Sequence, residues 1–346
     1  MSRRTEWIDY AKGIGIILVV FAHLQSSGFH AGLGVGERFF HLSDSIIYSF
    51  HMPLFFFLAG LLARASLARR GAKGFVLDKL RRIAWPYLVW SLIQMGVELF
   101  FSGHSSRGVT PADILAVSWR PWAQFWFLYS LLLMYLSATL IRHRGGLPLL
   151  AAVSLVLFFF PARTEMLSLI GFSTGFLFFV AGMIGDELLL KQGEKKLPGW
   201  AGPALLPVLV GAGWLVFTRL IAPVRLIDGS HPWLFLPLAA LGIWCCLGTA
   251  QVLAEKKALS LVALLGRYSL PIYLVHMLAG VGTRVVVERF IGLEHGVVHL
   301  AAGLAVGLAA PVLLFLCCER LGFPWLFAFG AEGGPGNRLR AGEGGK

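Results

Sequence analysis

Charged side chains are scarce in this chain: they make up 14% of 346 residues, while apolar residues make up 57%. Soluble domains carry about 25% charged residues, so a water-soluble fold would need nearly every helix to be a core helix. Acidic residues are the scarcer sign, with 18 Asp and Glu against 30 Lys and Arg and a net charge of +12. The basic surplus is spread over alternate loops rather than one patch, which argues against a nucleic-acid partner. Cysteine is also rare: the four form two vicinal pairs, Cys245-Cys246 and Cys317-Cys318, each inside an apolar run. Adjacent cysteines of this kind make neither a disulfide framework nor a zinc site and are expected to be small buried apolar residues. Neither an internal repeat nor the composition of an appended soluble domain is evident.

What is abundant is long apolar sequence, with 41 glycines that suit close helix packing in a bilayer. A hydrocarbon core of about 30 Å takes roughly 20 helical residues. The chain is therefore expected to be an all-α, polytopic integral membrane helix bundle of about ten transmembrane helices. Apolar runs bounded by charge, Pro or Gly predict spans at 13–29, 46–66, 83–101, 122–141, 147–161, 166–189, 203–222, 232–253, 269–290 and 296–318. The fifth is short. Residues 1–329 form one membrane domain in this reading, and 330–346, rich in Gly, read as a disordered cytoplasmic tail. Arg3, Arg4 and Lys12 before an apolar run resemble a signal peptide, but no small-residue cleavage site follows, so the run is taken as a retained first helix.

Charge distribution tests this layout. The basic residues fall on one face except Arg38, Arg107, Arg120, Arg163, Arg219, Arg225, Arg284 and Arg289. That asymmetry predicts an even number of spans with both termini in the cytoplasm. Basic charge on that face also favours anionic lipid headgroups or a phosphorylated cytosolic ligand.

Ionisable groups at membrane depth are costly and mark candidate sites. Lys12 and His23 are eleven residues apart, which at about 100° per residue returns them to one helix face, ~16 Å apart along the axis. Gly15 and Val19 lie between them, so that face is a narrow track. A neutral buried His can take a proton from a hydroxyl; the alternative is a His bonded to a neighbouring helix. His51 opens the second span in Ser49-Phe50-His51-Met52-Pro53, where Pro53 removes a backbone donor and disfavours helix at Met52. It either faces a cavity shared with His23 or is an interfacial residue. His276 shares a face with Tyr273, three residues away, and suits an inter-helix hydrogen bond as well as catalysis. The run from Lys79 through Arg81 and Arg82 to Trp85-Pro86 is the densest basic cluster. It can bind phosphate or serve as a topological anchor. Arg284 and Glu288, four apart, read as a helix salt bridge.

Several of these segments together resemble the membrane acyltransferase-3 family, and within it the branch of fucose 4-O-acetylase-like sugar O-acetyltransferases. The segments are Trp7-Ile8-Asp9-Tyr10-Ala11-Lys12-Gly13-Ile14 with Val19-Val20-Phe21-Ala22-His23; Phe50-His51-Met52-Pro53 through Gly60; Arg81-Arg82-Ile83 with Pro86; Trp126-Phe127-Leu128; and Leu265-Gly266 through Tyr273 to His276. They occur in the family's order along most of the chain. Lys12 stands where the family more often has Arg, keeping charge but losing the planar fork. The resemblance implies a ten-helix enzyme of a bacterial inner membrane that takes an acyl group, usually acetyl from acetyl-CoA, on the cytoplasmic side. It delivers that group to a hydroxyl, commonly on a glycan at the outer face. Many relatives carry an extra hydrolase-like domain; without one, this chain would pass the acyl group on itself.

The expected mechanism gives His23 the role of general base or transient acyl carrier, with His51 orienting groups from the outer side. Lys12, Arg81 and Arg82 bind the phosphates of acyl-CoA. Asp9, Trp126, Tyr273 and His276 are possible lining residues, and no metal is called for. The acceptor would be a glycan, glycolipid or other hydroxylated compound, with membrane lipids as further partners. A transporter or flippase for a lipid-linked saccharide is the alternative. It would more often carry internal repeats or paired broken helices.

Overall fold

The computed structural model describes residues 6–100, 109–142, 146–186, 189–190, 212, 213, 215, 216, 219, 232–293 and 295–330. Among these residues there are helices and turns but no strand. In chain order the helices are α1 (Glu6–His30), α2 (Glu37–Tyr48), α3 (His51–Lys79), α4 (Trp85–Phe100), α5 (Pro111–Ala116), α6 (Trp126–Ala138), α7 (Gly146–Phe159), α8 (Leu167–Asp186), α9 (Pro232–Lys256), α10 (Ser260–Arg267), α11 (Ser269–Val286) and α12 (Gly296–Arg320). Seven segments of the described chain are long and apolar enough to cross a membrane, one of them the run Glu37–Phe100. The protein is an all-α polytopic membrane protein.

The differences from the predicted spans have local causes. The predicted span 46–66 starts at His51 and continues to Lys79, with α2 a separate short helix before it. Inside α3 the backbone turns at Gly71, whose φ of 67° and ψ of 170° break the helix; a residue with a Cβ rarely adopts that φ. The spans predicted at 46–66 and 83–101 thus lie on either side of the break at Gly71. The predicted 147–161 helix is α7, 14 residues long, fewer than the roughly 20 needed to cross the hydrocarbon unaided. The predicted span 203–222 falls mostly outside the described residues, as does the tail beyond Gly330. The short helices α2, α5 and α10 carry no long apolar run and were not predicted. All four cysteines are free; Cys317 is exposed on α12 rather than buried, while the other three are buried as expected.

The chain divides into two compact units. The first comprises Met1–Leu58 and Ile184–Val312. Its centre is α1, which packs against α9, α10, α11 and α2. α1 and α10 approach closely because glycines meet backbone at the crossing. A Cβ at Gly13 would overlap the Val262 carbonyl, and one at Gly266 would overlap the Asp9 carbonyl. Close backbone approach through small residues is how helices associate where lipid removes the hydrophobic drive.

The second unit comprises Ala59–Met183 and Leu313–Lys346. Here α3 runs into α4 through a π-helical turn at Leu80–Ala84. Pro86 accounts for it: proline has no N–H for the Arg82 carbonyl, and its ring would clash with that carbonyl in an α-helix. In the wider turn the Trp85 N–H reaches back to the Leu80 carbonyl, and the Arg81 carbonyl is left without a helical donor. The amide of Phe329 supplies one at 3.1 Å. The same C-terminal segment accepts from the indoles of Trp85, at the Trp325 carbonyl (2.6 Å), and Trp90, at the Leu326 carbonyl (2.9 Å). It also sets Phe327 tilted against Trp90 and edge-on to Phe315.

Candidate active site

Two histidines distant in sequence meet in the first unit. His23 lies on α1 and His276 on α11. Their rings are near-parallel, 13° apart in plane, with His23 Nδ1 2.8 Å from His276 Nε2. His276 is fully buried. Its Nδ1 lies 2.8 Å from the Tyr273 carbonyl and 3.1 Å from the Ile272 carbonyl.

Carbonyls only accept, so in the neutral pair His276 carries its proton on Nδ1 and presents a lone pair at Nε2. His23 must then donate from Nδ1, which leaves the lone pair of His23 on Nε2. That atom has no protein hydrogen-bond partner among the described residues, and His23, unlike His276, is partly exposed. A base whose tautomer is set by a hydrogen bond on its other nitrogen is the arrangement that nucleophile-activating sites use.

The remaining predicted residues of this unit divide between this pair and the scaffold. Lys12 lies on α1 eleven residues before His23, partly exposed, so helical geometry keeps both on one face, about 16 Å apart along the axis. Tyr273 is buried, its ring 6.0 Å from that of His276. It contributes its carbonyl to the histidine pair. His51 is buried and held by the Ile47 carbonyl, 2.6 Å from its Nδ1, with the Tyr48 ring edge-on at 4.9 Å. No hydrogen bond links it to His23 or His276. Asp9 is buried and pairs with Arg267 at 3.2 Å, tying the start of α1 to the end of α10.

In the second unit, Arg82 bonds Asp78 at 2.8 Å, and the same carboxylate lies 3.4 Å from Arg70 and 3.5 Å from Lys79. The Lys79 ammonium also sits over the Tyr135 ring at 4.3 Å. Arg81 is exposed and makes no side-chain ion pair among the described residues. One carboxylate among four cations leaves a surplus of positive charge at the π turn, which suits a phosphate ligand better than a closed salt-bridge network would. Trp126 begins α6 and lies against Gly171 of α8, where a Cβ would strike its ring.

Reading the sequence alone missed three contributors. Arg267 as the partner of Asp9 lies 258 residues away, and no local pattern pointed to it. The pairing of His23 with His276 is equally long-range. Arg284 does not pair with Glu288 as expected; its Nη1 donates to the Ser27 carbonyl at 2.7 Å. Among the described residues no three His, Cys, Asp or Glu side chains gather as metal ligands do.

Comparison with known proteins adds an independent line. The family model described as an acyltransferase domain matches residues 5–316. Nodulation protein NolL of Sinorhizobium fredii is 29% identical over 200 residues, 57% of this chain and 52% of that protein. Nodulation protein NolL of Mesorhizobium japonicum is 28% identical over 131 residues, 36% of this chain and 34% of its own length. The chain thus spans about half the length of the first of these relatives and about a third of the second. No solved structure matches it.

Proposed function

The chain belongs to this membrane acyltransferase family, and on that premise we propose that it is an O-acyltransferase. It moves an acyl group, acetyl in the first instance, from cytoplasmic acyl-CoA to a hydroxyl of a glycan or glycolipid. The observation that carries this reading is the His23–His276 pair, which leaves a lone pair at His23 Nε2 on the helix face that also bears Lys12.

In the step itself, His23 Nε2 takes the proton of the acceptor hydroxyl as its oxygen attacks the thioester carbonyl carbon. The carbon–sulfur bond breaks, the ester forms, and the thiolate of CoA leaves with the proton from His23. A positioned base of this kind contributes about 10²- to 10⁴-fold. His276 and the Tyr273 carbonyl keep the His23 ring oriented and its reactive nitrogen free. Arg81 and Arg82 bind the donor's phosphates, the surplus cations round Asp78 making that face of the second unit attractive to them. His51, pinned by Ile47, lines the site and does not carry the proton. A variant of the scheme has His23 Nε2 attack the thioester first and hold the acyl group before the acceptor arrives.

The test is label transfer. Purified protein in liposomes is given acetyl-CoA labelled in the acetyl group together with membrane glycan and glycolipid extracts. The reading expects free CoA and label in an ester-linked, base-labile product. Rapid acid quench separates the two schemes, since only the second leaves label on the protein. Binding of a lipid-linked saccharide with no thioester consumed, across several acyl donors, would replace this reading with a transporter.

A further inference from the structure

A second polar site lies in the first unit, beyond the histidine pair toward the end of α1 and α11. Ser27 is one turn past His23 and Arg284 two turns past His276, about 6 Å and 12 Å along their helices. Both line a cleft with about 370 Å³ of space, its open mouth included. His299 of α12 lines the same cleft, as do Gly28, Gly280 and Gly296; a Cβ at Gly280 would strike Leu24 and one at Gly296 the Leu33 carbonyl, so glycine lets the cleft's walls pack closely.

Two buried polar atoms in this cleft have no hydrogen-bond partner among the described residues: Arg284 Nε and His299 Nδ1. The Arg284 guanidinium spends Nη1 on the Ser27 carbonyl at 2.7 Å, and among the described residues no carboxylate bonds it. His299 is buried, 5% exposed, and its Nε2–H donates to the Leu293 carbonyl at 2.6 Å. That bond fixes Nδ1 as an acceptor. Unsatisfied buried polar groups are rare and each calls for an explanation. Arg284 as a whole is partly exposed, but its enclosed Nε–H has neither water nor a protein acceptor among the described residues, which is costly for a charged group.

The two orphans specify a ligand. Arg284 Nε offers a charge-assisted donor that an anionic oxygen fits, and His299 Nδ1 takes a hydroxyl proton. The cleft is narrow and partly open, so a charged tip enters and a sugar ring stays at the mouth.

We propose that this cleft binds the phosphate of a phosphate ester that also carries a hydroxyl, and so selects a phosphorylated sugar as acceptor. This rests on the acyltransferase reading for its meaning but not for its binding chemistry. Free glycosyl phosphates, lipid-linked glycosyl phosphates and phospholipid headgroups share that chemistry.

Thermal unfolding of the full chain in nanodiscs of phosphatidylcholine tests the proposal without requiring acyl transfer. The probes are inorganic phosphate, glucose 1-phosphate and glucose, at ionic strength fixed with chloride. Saturable protection is expected from both phosphates and none from glucose. Arg284→Gln should abolish it and Arg284→Lys should weaken half-saturation about tenfold, the order of one charge-assisted hydrogen bond. Protection by acetyl-CoA should persist in both variants, which separates this site from the donor site. If Arg284→Gln does not fold, His299→Leu serves instead: it keeps the cation and removes only the advantage of glucose 1-phosphate over inorganic phosphate. Equal protection of wild type and Arg284→Gln by the phosphates, an undiminished advantage of glucose 1-phosphate in His299→Leu, or no protection in any protein would overturn the proposal. Protection that arises only from phosphatidylglycerol added to the nanodisc would make this a lipid headgroup site and overturn acceptor selection.

Discussion

At the scale of single residues, the account rests on which nitrogen of each histidine holds a proton. His276→Leu removes the acceptor for His23 Nδ1–H and frees the ring to rotate. CoA release should fall by about 10- to 100-fold with the KM for acetyl-CoA unchanged, because donor binding is assigned elsewhere; the size is part of the factor a base contributes. His276→Gln keeps an amide oxygen able to accept from His23 and should recover much of the loss. A purely structural His276 would give equal losses in both variants, along with lowered stability. Asp9→Asn is a stability matter instead. It leaves Arg267 without its partner and should cost about 1.5–3 kcal/mol, the range for a hydrogen bond to a charged group, read as a lower unfolding midpoint with donor affinity retained. The spacing of Lys12 and His23 was legible in sequence because both lie on one helix, where 3.6 residues per turn fixes the face. The pairing of His23 with His276 was not, since it crosses 253 residues and no local pattern encodes a partner that distant.

Secondary-structure elements tell a similar story at the next scale. Pro86 stood out in sequence only as the end of a basic run, and the fold alone reveals that it causes a π turn that frees the Arg81 carbonyl for Phe329. Pro86→Ala restores an N–H for Arg82 and permits an α-helical register, which would turn Arg81 by roughly 100° and return its carbonyl to the helix. Faster amide exchange at Phe329 and weaker acetyl-CoA binding are the expected results, and unaltered exchange there would dissociate the C-terminal segment from the turn. Long apolar helices such as α1, α9 and α12 could be read from hydropathy. The short α2 and α10 could not, because packing rather than local sequence defines them. α10 is held where Gly13 and Gly266 let it meet α1. A larger side chain at this crossing, Gly266→Leu, must separate the two helices. It should abolish folded yield, measured as monodisperse protein after extraction, whereas Gly282→Ala, where nothing lies within 4 Å, should be tolerated.

For the whole molecule, the membrane class was written in composition: few charges, long apolar runs and basic residues in alternate loops. Those loops predict both termini on the cytoplasmic side. Reporter fusions active only in the cytoplasm should therefore work at either end, and a fusion silent at one end would require an odd number of spans. The partition into two units was invisible in sequence, because each is assembled from two separated stretches and their boundaries fall inside α3, α8 and α12.

The central claim is that His23 Nε2 is the base for acyl transfer. The most direct measurement is CoA release by His23→Ala in liposomes, with and without added imidazole, at saturating acetyl-CoA. The account predicts a fall of about 10²- to 10⁴-fold with acetyl-CoA still bound, and partial recovery as free imidazole occupies the vacated space. Release at the wild-type rate by a folded His23→Ala protein would contradict it.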